Sequence, residues 1–339
     1  MRFRLPLTSH QLSSGDLTAD RRAHYARLYA EGGDLGAAVD LQVQALDLAP
    51  DWAAGWHELG GFREQAGDLK GAAEAWRMVL KLAPVDIYGA GLKLSLTGQA
   101  AAPSIPPAEY VEALFDGYSD RFDAALLENL GYCVPERLTL LLGEVAGAET
   151  HFAKVIDLGC GTGLFGERIR SKTSWLEGYD LSQGMLSKAF DKGVYDRLGQ
   201  ADILHGIVAA RLKNAKPADL VAATDVFAYF GDLDGVLGIA SGLTTPGGLM
   251  AFSCEAGVDG VDWLLQSSLR YCHSETYLRV LAERHGLSIE RLDREVIRRD
   301  GANVITGLLV IARKQSDASV RPAALPALAK SSTVVAEKH

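Results

Sequence analysis

Apolar residues recur at helical spacing through the first hundred residues, then gather into short continuous runs from residue 154 onward. In the first region Gly33-Asp34-Leu35 returns as Gly67-Asp68-Leu69, Ala38 as Ala72, and Leu48-Ala49-Pro50 as Leu82-Ala83-Pro84, each pair 34 residues apart. The pattern predicts helix pairs joined by Gly-Asp turns, with a closing helix between Ile87 and Thr97. Residues 1–18 carry no pattern and are read as a loose lead-in. Ala100 to Pro107 is a linker by its prolines, a helix follows from Pro107 or Ala108, and another spans Pro135 to Val145. Then come Lys154–Leu158, Leu176–Asp180, Asp219–Phe230 and Leu249–Ser253, apolar runs interleaved with helical segments, as in a parallel sheet covered on both faces. Arg291–Arg298 and Val304–Ala312 flank Asp300-Gly301, a hairpin signal. Residues 316–339 have little to bury and read as a disordered tail.

The first apolar run ends abruptly in Asp157-Leu158-Gly159-Cys160-Gly161-Thr162-Gly163, with Leu164, Phe165 and Ile169 continuing at helical spacing. A strand, a Gly-rich turn and a helix N-terminus in that order present free backbone N–H groups to a ligand. Gly161-x-Gly163-x-x-Gly166 also fits a dinucleotide fingerprint, so the glycines alone leave NAD in play. Asp157 argues against it, because a carboxylate there repels a pyrophosphate and suits a cationic amino-acid ligand such as S-adenosylmethionine (SAM), which has no phosphate. Asp180 ends the next run, 23 residues beyond Asp157, where an acid can take a ribose hydroxyl pair.

The run Asp-Leu-Gly-Cys-Gly-Thr-Gly resembles the first motif of class I SAM-dependent methyltransferases, and residues 178–203 resemble the second and third in unbroken order. The resemblance implies a Rossmann-like α/β fold, a mostly parallel seven-stranded sheet with a C-terminal antiparallel hairpin. It implies SAM held by Asp157, Gly159, Cys160, Gly161, Thr162, Gly163, Asp180, Leu181 and Met185, with Asp202 and Ile203 against the adenine. The segment Phe115 to Asp123, rich in Tyr, Phe and Asp, is similar to one that closes over SAM in this class, with Tyr118 as the residue expected to touch it; the helix through Leu126, Leu127 and Leu130 follows. A surface helix is expected after Asp202. The 34-residue period, with Trp56, Leu59, Gly60, Ala72, Trp76 and Pro84, resembles a tetratricopeptide repeat (TPR). Arg22 and Gln42 stand where large apolar residues are usual. The array is read either as a surface for a protein partner or as a stabilising appendage. Residues 1–99 are thus expected to form a TPR-like all-α domain, 100–107 a linker and 108–315 the methyltransferase domain, as in bacterial TPR-containing methyltransferases of uncertain substrate.

Formal charge narrows the acceptor. The chain has 339 residues and a net charge of −9, with no basic patch beyond Arg298-Arg299, which disfavours a nucleic-acid partner. The run after the fourth strand begins Asp225-Val226-Phe227-Ala228, unlike the Asn/Asp-Pro-Pro-Tyr/Phe of amino-DNA methyltransferases, and no Pro-Cys dipeptide is present. Four scattered cysteines without a C-x-x-C pair predict no metal site and a reduced compartment. No apolar run approaches membrane-spanning length, and a cytoplasmic location is expected. Asp225 and Tyr229 close the fourth strand at its carboxyl end, where open α/β sheets bind ligands, so both are candidate reaction-site residues. Asp225 is also expected to face SAM. Glu255, Tyr271 and His273 are further rim candidates, with His273 the group that titrates in the useful range. The acceptor is then a small carboxylate or hydroxyl compound or a protein side chain. The competing reading is a SAM-binding interaction scaffold without catalysis.

Overall fold

The computed structural model describes residues 13–118, 131–204, 216–300 and 303–316. The expected segment after Tyr118 with its Leu126–Leu130 helix, the surface helix after Asp202, the Gly301 turn and most of the C-terminal tail lie outside the described residues. Contacts divide the chain into two compact units, the first ending at Leu114 and the second beginning at Phe115.

In the first unit, helices α1 (Leu17–Glu31), α2 (Leu35–Leu48), α3 (Ala53–Gln65), α4 (Leu69–Leu82) and α5 (Ala90–Leu96) follow one another. The first begins inside the stretch expected to be a loose lead-in, because Asp16 accepts hydrogen bonds from the N–H groups of Thr18 and Ala19 and caps it. The recurring Gly-Asp-Leu is a turn and a cap. Gly33 and Gly67 take left-handed φ of +86° and +82°, and Asp34 and Asp68 accept from the N–H groups of Ala37 and Gly71. Gly60 faces the fully buried Trp76; a Cβ there would lie 2.2 Å from the indole nitrogen, so the α3–α4 packing requires glycine. The atypical Gln42 is fully buried, and its amide donates to the Gly55 carbonyl at 2.9 Å. Arg22 donates to the Gln44 carbonyl from an exposed position.

The second unit holds the end of α6 (Ala108–Tyr118), then α7 (Val134–Ala146), β1 (Phe152–Leu158), α8 (Leu164–Ile169), β2 (Thr173–Asp180), α9 (Gln183–Asp191), β3 (Arg197–Gln200) and β4 (Ala218–Ala223). It continues with α10 (Asp234–Leu243), β5 (Thr244–Ala256), β6 (Trp263–Leu265), β7 (Tyr271–His273), α11 (Glu275–Arg284), β8 (Leu287–Asp300) and β9 (Asn303–Lys314). Strands β3, β2, β1, β4 and β5 are neighbours in that order, all parallel. Antiparallel β9 lies between β5 and β8. This is the expected seven-stranded arrangement, extended by the β6–β7 hairpin, which pairs with the carboxyl end of β5 through Glu255 and Ala256. The sheet is therefore larger than expected, nine-stranded among the described residues.

Apolar side chains fill both faces. Leu138, Leu141, Phe165 and Ile169 cover Val155, Leu220 and Leu309 on one side. Val236, Leu237, Leu278 and Leu281 cover Ile156, Val221, Phe252 and Val310 on the other. Strand order reverses between β1 and β4, which opens a crevice at their carboxyl ends. The fourth strand stops at Ala223, earlier than its continuous apolar run suggests. Asp225 takes φ of +59°, and Phe227–Tyr229 turn as a single 3₁₀ segment into the core.

Candidate functional site

The turn after β1 is built from three glycines in left-handed conformation, Gly159, Gly161 and Gly163, with φ of +65°, +54° and +92°. Side chains lock it. Asp180, at the end of β2, accepts from the Gly161 N–H with Oδ2 and from the Ser182 N–H with Oδ1, both at 2.8 Å. The Cys160 N–H donates to the Tyr179 carbonyl at 3.0 Å. Beyond Asp180, the Ser182 hydroxyl caps α9 through the Met185 N–H, and Asp116 of α6 accepts from that hydroxyl and from the Gly184 N–H.

Asp157 is fully buried at the end of β1. Its Oδ2 accepts from the Tyr195 hydroxyl at 2.7 Å, while its Oδ1 is buried with no hydrogen-bond partner among the described residues. Burial pushes the Asp157 carboxyl up to about 7, with the Tyr195 hydrogen bond opposing and nearby Asp180 reinforcing the shift. Burial also pushes Asp180 up to about 6, against its backbone hydrogen bonds. An orphaned carboxylate oxygen beside a second perturbed acid calls for a cation, and the ammonium end of SAM is one. Asp180 spends one lone pair on each oxygen and keeps two for a ribose diol. The donor set therefore fits SAM.

Other expected cofactor residues lie within this turn or after β2 and β3. Thr162 is buried within it, and Leu181 follows Asp180. Met185 and Ile203 are buried, and Asp202 accepts from the Leu204 N–H just beyond β3. Tyr118 ends α6, and its side chain lies outside the described residues.

Asp225 sits next to this turn, since Val226 packs on Gly159 so closely that a Cβ there would lie 2.3 Å from its Cγ2. It is no free carboxylate. Buried Arg298 donates to both Asp225 oxygens, at 2.8 and 3.1 Å, and to Glu255 Oε1. Arg270 donates to the Tyr229 hydroxyl at 3.1 Å and lies over its ring, 5.4 Å from the centroid. Phe115 meets the same ring edge-on at 5.1 Å. Burial raises the Tyr229 phenol above its ordinary range, so it stays protonated. Tyr132, buried near Asp225, Arg298, Arg270 and Asp157, is held protonated in the same way.

His273 pairs with Ala256 at the carboxyl end of β5, but not as an exposed base. It is fully buried, with Nε2 2.9 and 3.0 Å from the carbonyls of Phe230 and Gly231, both of which need a donor. Burial pushes its pKa down to about 4, against those two hydrogen bonds. It acts as a structural donor. Tyr271 is also fully buried. Tyr195, Asp116, Tyr132, Arg270 and Arg298 belong to the site but carry no motif of their own. Asp116 and Tyr195 had a sequence signal only as members of longer stretches, the aromatic and acidic segment that begins at Phe115 and residues 178–203.

With the geometry in view, the chain can be set beside known proteins. Residues 156–250 match the model of the methyltransferase domain family. A malonyl-[acyl-carrier protein] O-methyltransferase of Salmonella typhimurium is 30% identical over 152 residues, covering 44% of this chain and 56% of that protein. A TPR repeat-containing protein of Pseudomonas aeruginosa is 38% identical over 55 residues, covering 16% of this chain and 52% of its own length. The chain thus spans about half the length of these two relatives. Among solved structures, the N-methyltransferase NodS of Bradyrhizobium japonicum, in complex with S-adenosyl-l-homocysteine, aligns at a TM-score of 0.41 and 19% identity, over 53% of this chain and 87% of that one. The methyltransferase domain match takes in the end of β1, the glycine turn, Asp180 and β4. Among the described residues no cluster of His, Cys, Asp or Glu could hold a metal, and no helix is long and apolar enough to cross a membrane.

Proposed function

We propose that the chain is a SAM-dependent methyltransferase acting on a small-molecule or protein acceptor. The observation that carries this reading is the buried Asp157 with one unpartnered oxygen, beside a glycine turn closed by Asp180, inside a stretch that matches a methyltransferase domain. Asp157 Oδ1 takes the ammonium group, and Asp180 takes the ribose hydroxyls with its remaining lone pairs. Asp202 and Ile203 take the adenine edge and face, and Gly159 to Gly163, Leu181 and Met185 line the rest. Bound SAM supplies a sulfonium methyl group with an excellent leaving group.

The protein's own contribution is alignment of the acceptor against that methyl. Asp225 and Tyr229 do this from the end of β4. Arg298 fixes the one, and Arg270 with Phe115 fixes the other. Residues 1–99 act as a TPR-like module for a partner or for stability, 100–107 as a linker, and 108–315 as the catalytic domain. Incubating the full chain with methyl-labelled SAM and a fractionated cell lysate tests the reading. Transfer of label to a protein or small-molecule fraction is expected. A chain that binds SAM and labels nothing would instead be a SAM-binding scaffold.

A further inference from the structure

The network at the carboxyl ends of β4 and β5 contains two acids and two guanidinium groups, and they differ in access. The side chains of Arg298, Glu255 and Asp225 are 3%, 4% and 15% exposed, whereas Arg270 is 26% exposed. An acceptor entering from solvent meets Arg270 first. This arginine is delivered by the turn between β6 and β7, the hairpin added at the end of β5. The turn is closed by the Gln266 N–H on the Arg270 carbonyl at 2.8 Å and the Leu269 N–H on the Gln266 carbonyl at 2.9 Å. Leu269 takes φ of +62°, a conformation that costs a non-glycine residue roughly 1–3 kcal/mol and clusters at functional sites. Gln266 also donates to Glu255 Oε2, so the turn is fixed to β5. Arg270 Nη1 stands 3.7 Å from Glu255, and Nε is on Tyr229, which leaves Nη2 with no hydrogen-bond partner among the described residues.

The acids and phenols of this network are already engaged or held protonated. Asp225 and Glu255 are both taken by Arg298. Burial holds the Tyr229 and Tyr132 phenols protonated, and His273 is buried on two carbonyls. Asp157 and Asp180 are the acids assigned to SAM. An amine acceptor reaches such a site protonated at neutral pH and needs a base. A carboxylate arrives already ionised, and a guanidinium edge matches its two oxygens.

We infer that Arg270 selects an acceptor bearing an ionised carboxylate, whose methyl ester is the product. The inference rests on the methyltransferase reading. One carboxylate oxygen forms a bond to the methyl carbon as the sulfur–methyl bond breaks, the electron pair of that bond stays on sulfur to give a neutral thioether, and no proton moves. Arg270 is then a specificity residue, and Glu255 holds its turn in place through Gln266.

The test uses the full chain, methyl-labelled SAM and the fractionated lysate, with each labelled fraction then treated with alkali. Methyl esters release volatile methanol, whereas N-methyl and ether-linked methyl groups do not. The expected result is alkali-labile label. Arg270→Met should raise the acceptor KM by roughly 30- to 100-fold, the loss of a charge-assisted contact, with kcat changed less. Arg270→Lys should recover part of it. Both variants should bind SAM in calorimetry as the wild type does, which shows that they are folded. Alkali-stable label, or Arg270→Met labelling the same fraction at the wild-type KM, overturns the inference. Failure of the wild type to bind SAM overturns the methyltransferase reading instead.

Discussion

Tyr195 accounts for glycines that ligand binding alone leaves unexplained. Its ring lies over the β1–α8 turn, and a Cβ at Gly163, Gly166 or Gly178 would come within 3.0, 2.4 or 2.8 Å of it. Gly166, the third glycine of the dinucleotide-like spacing, therefore makes room for a side chain rather than for a phosphate. The hydroxyl placed by that ring orients Asp157 and leaves Oδ1 for a cation. Tyr195→Phe keeps the ring and removes the hydroxyl, so SAM affinity should fall by roughly tenfold, about one buried hydrogen bond to a charge, and calorimetry reads it.

The two perturbed acids also set a pH dependence. Asp157 and Asp180 bind protons more tightly folded than unfolded, so the stability they contribute is complete below about pH 4 and is lost as pH rises through about 6 and about 7. SAM affinity should move the other way, tightening over the same window as Asp157 ionises. Asp157→Asn should flatten the upper part of both curves, as followed by melting temperature and calorimetry. Asp157 and Asp180 were legible in the sequence because their motif is local. Tyr195 reaches Asp157 across 38 residues and Arg298 reaches Asp225 across 73, and no spacing rule ties residues so far apart.

Among elements, the departures from pattern reading have physical causes. The apolar run through Phe230 suggested a longer fourth strand, but Phe227 and Tyr229 are buried by a 3₁₀ turn after Ala223, and burial by itself does not distinguish the two. Strands β6 and β7 span three residues each, too short for alternation to register, yet they carry Arg270. The helical repeat was legible because its signals, Gly-Asp turns with aspartate caps, lie within a few residues of each other. Its packing rests on a close approach, and Gly60→Ala should push Trp76 aside. A loss of about 1–3 kcal/mol is expected from such overpacking, measurable by chemical denaturation. Unchanged stability would show that Trp76 has room to shift.

Over the whole molecule, the residues assigned to SAM and to the reaction lie in the unit that begins at Phe115, including Asp116 on Ser182 and Gly184. The helical array supplies none of them. A chain starting near Ser104 retains α6 and should bind SAM with little change, though exposed apolar surface will lower its solubility. Loss of binding by that folded fragment would show that the repeats take part in the site. SAM binding at the glycine turn ringed by Asp157 and Asp180 is read by titration calorimetry of the full chain against its Asp180→Ala variant. One SAM should bind per wild-type chain, with an affinity about 10- to 100-fold weaker in the variant, the loss of a charge-assisted contact pair. No SAM binding by the wild type, or equal affinity in the two proteins, would contradict it.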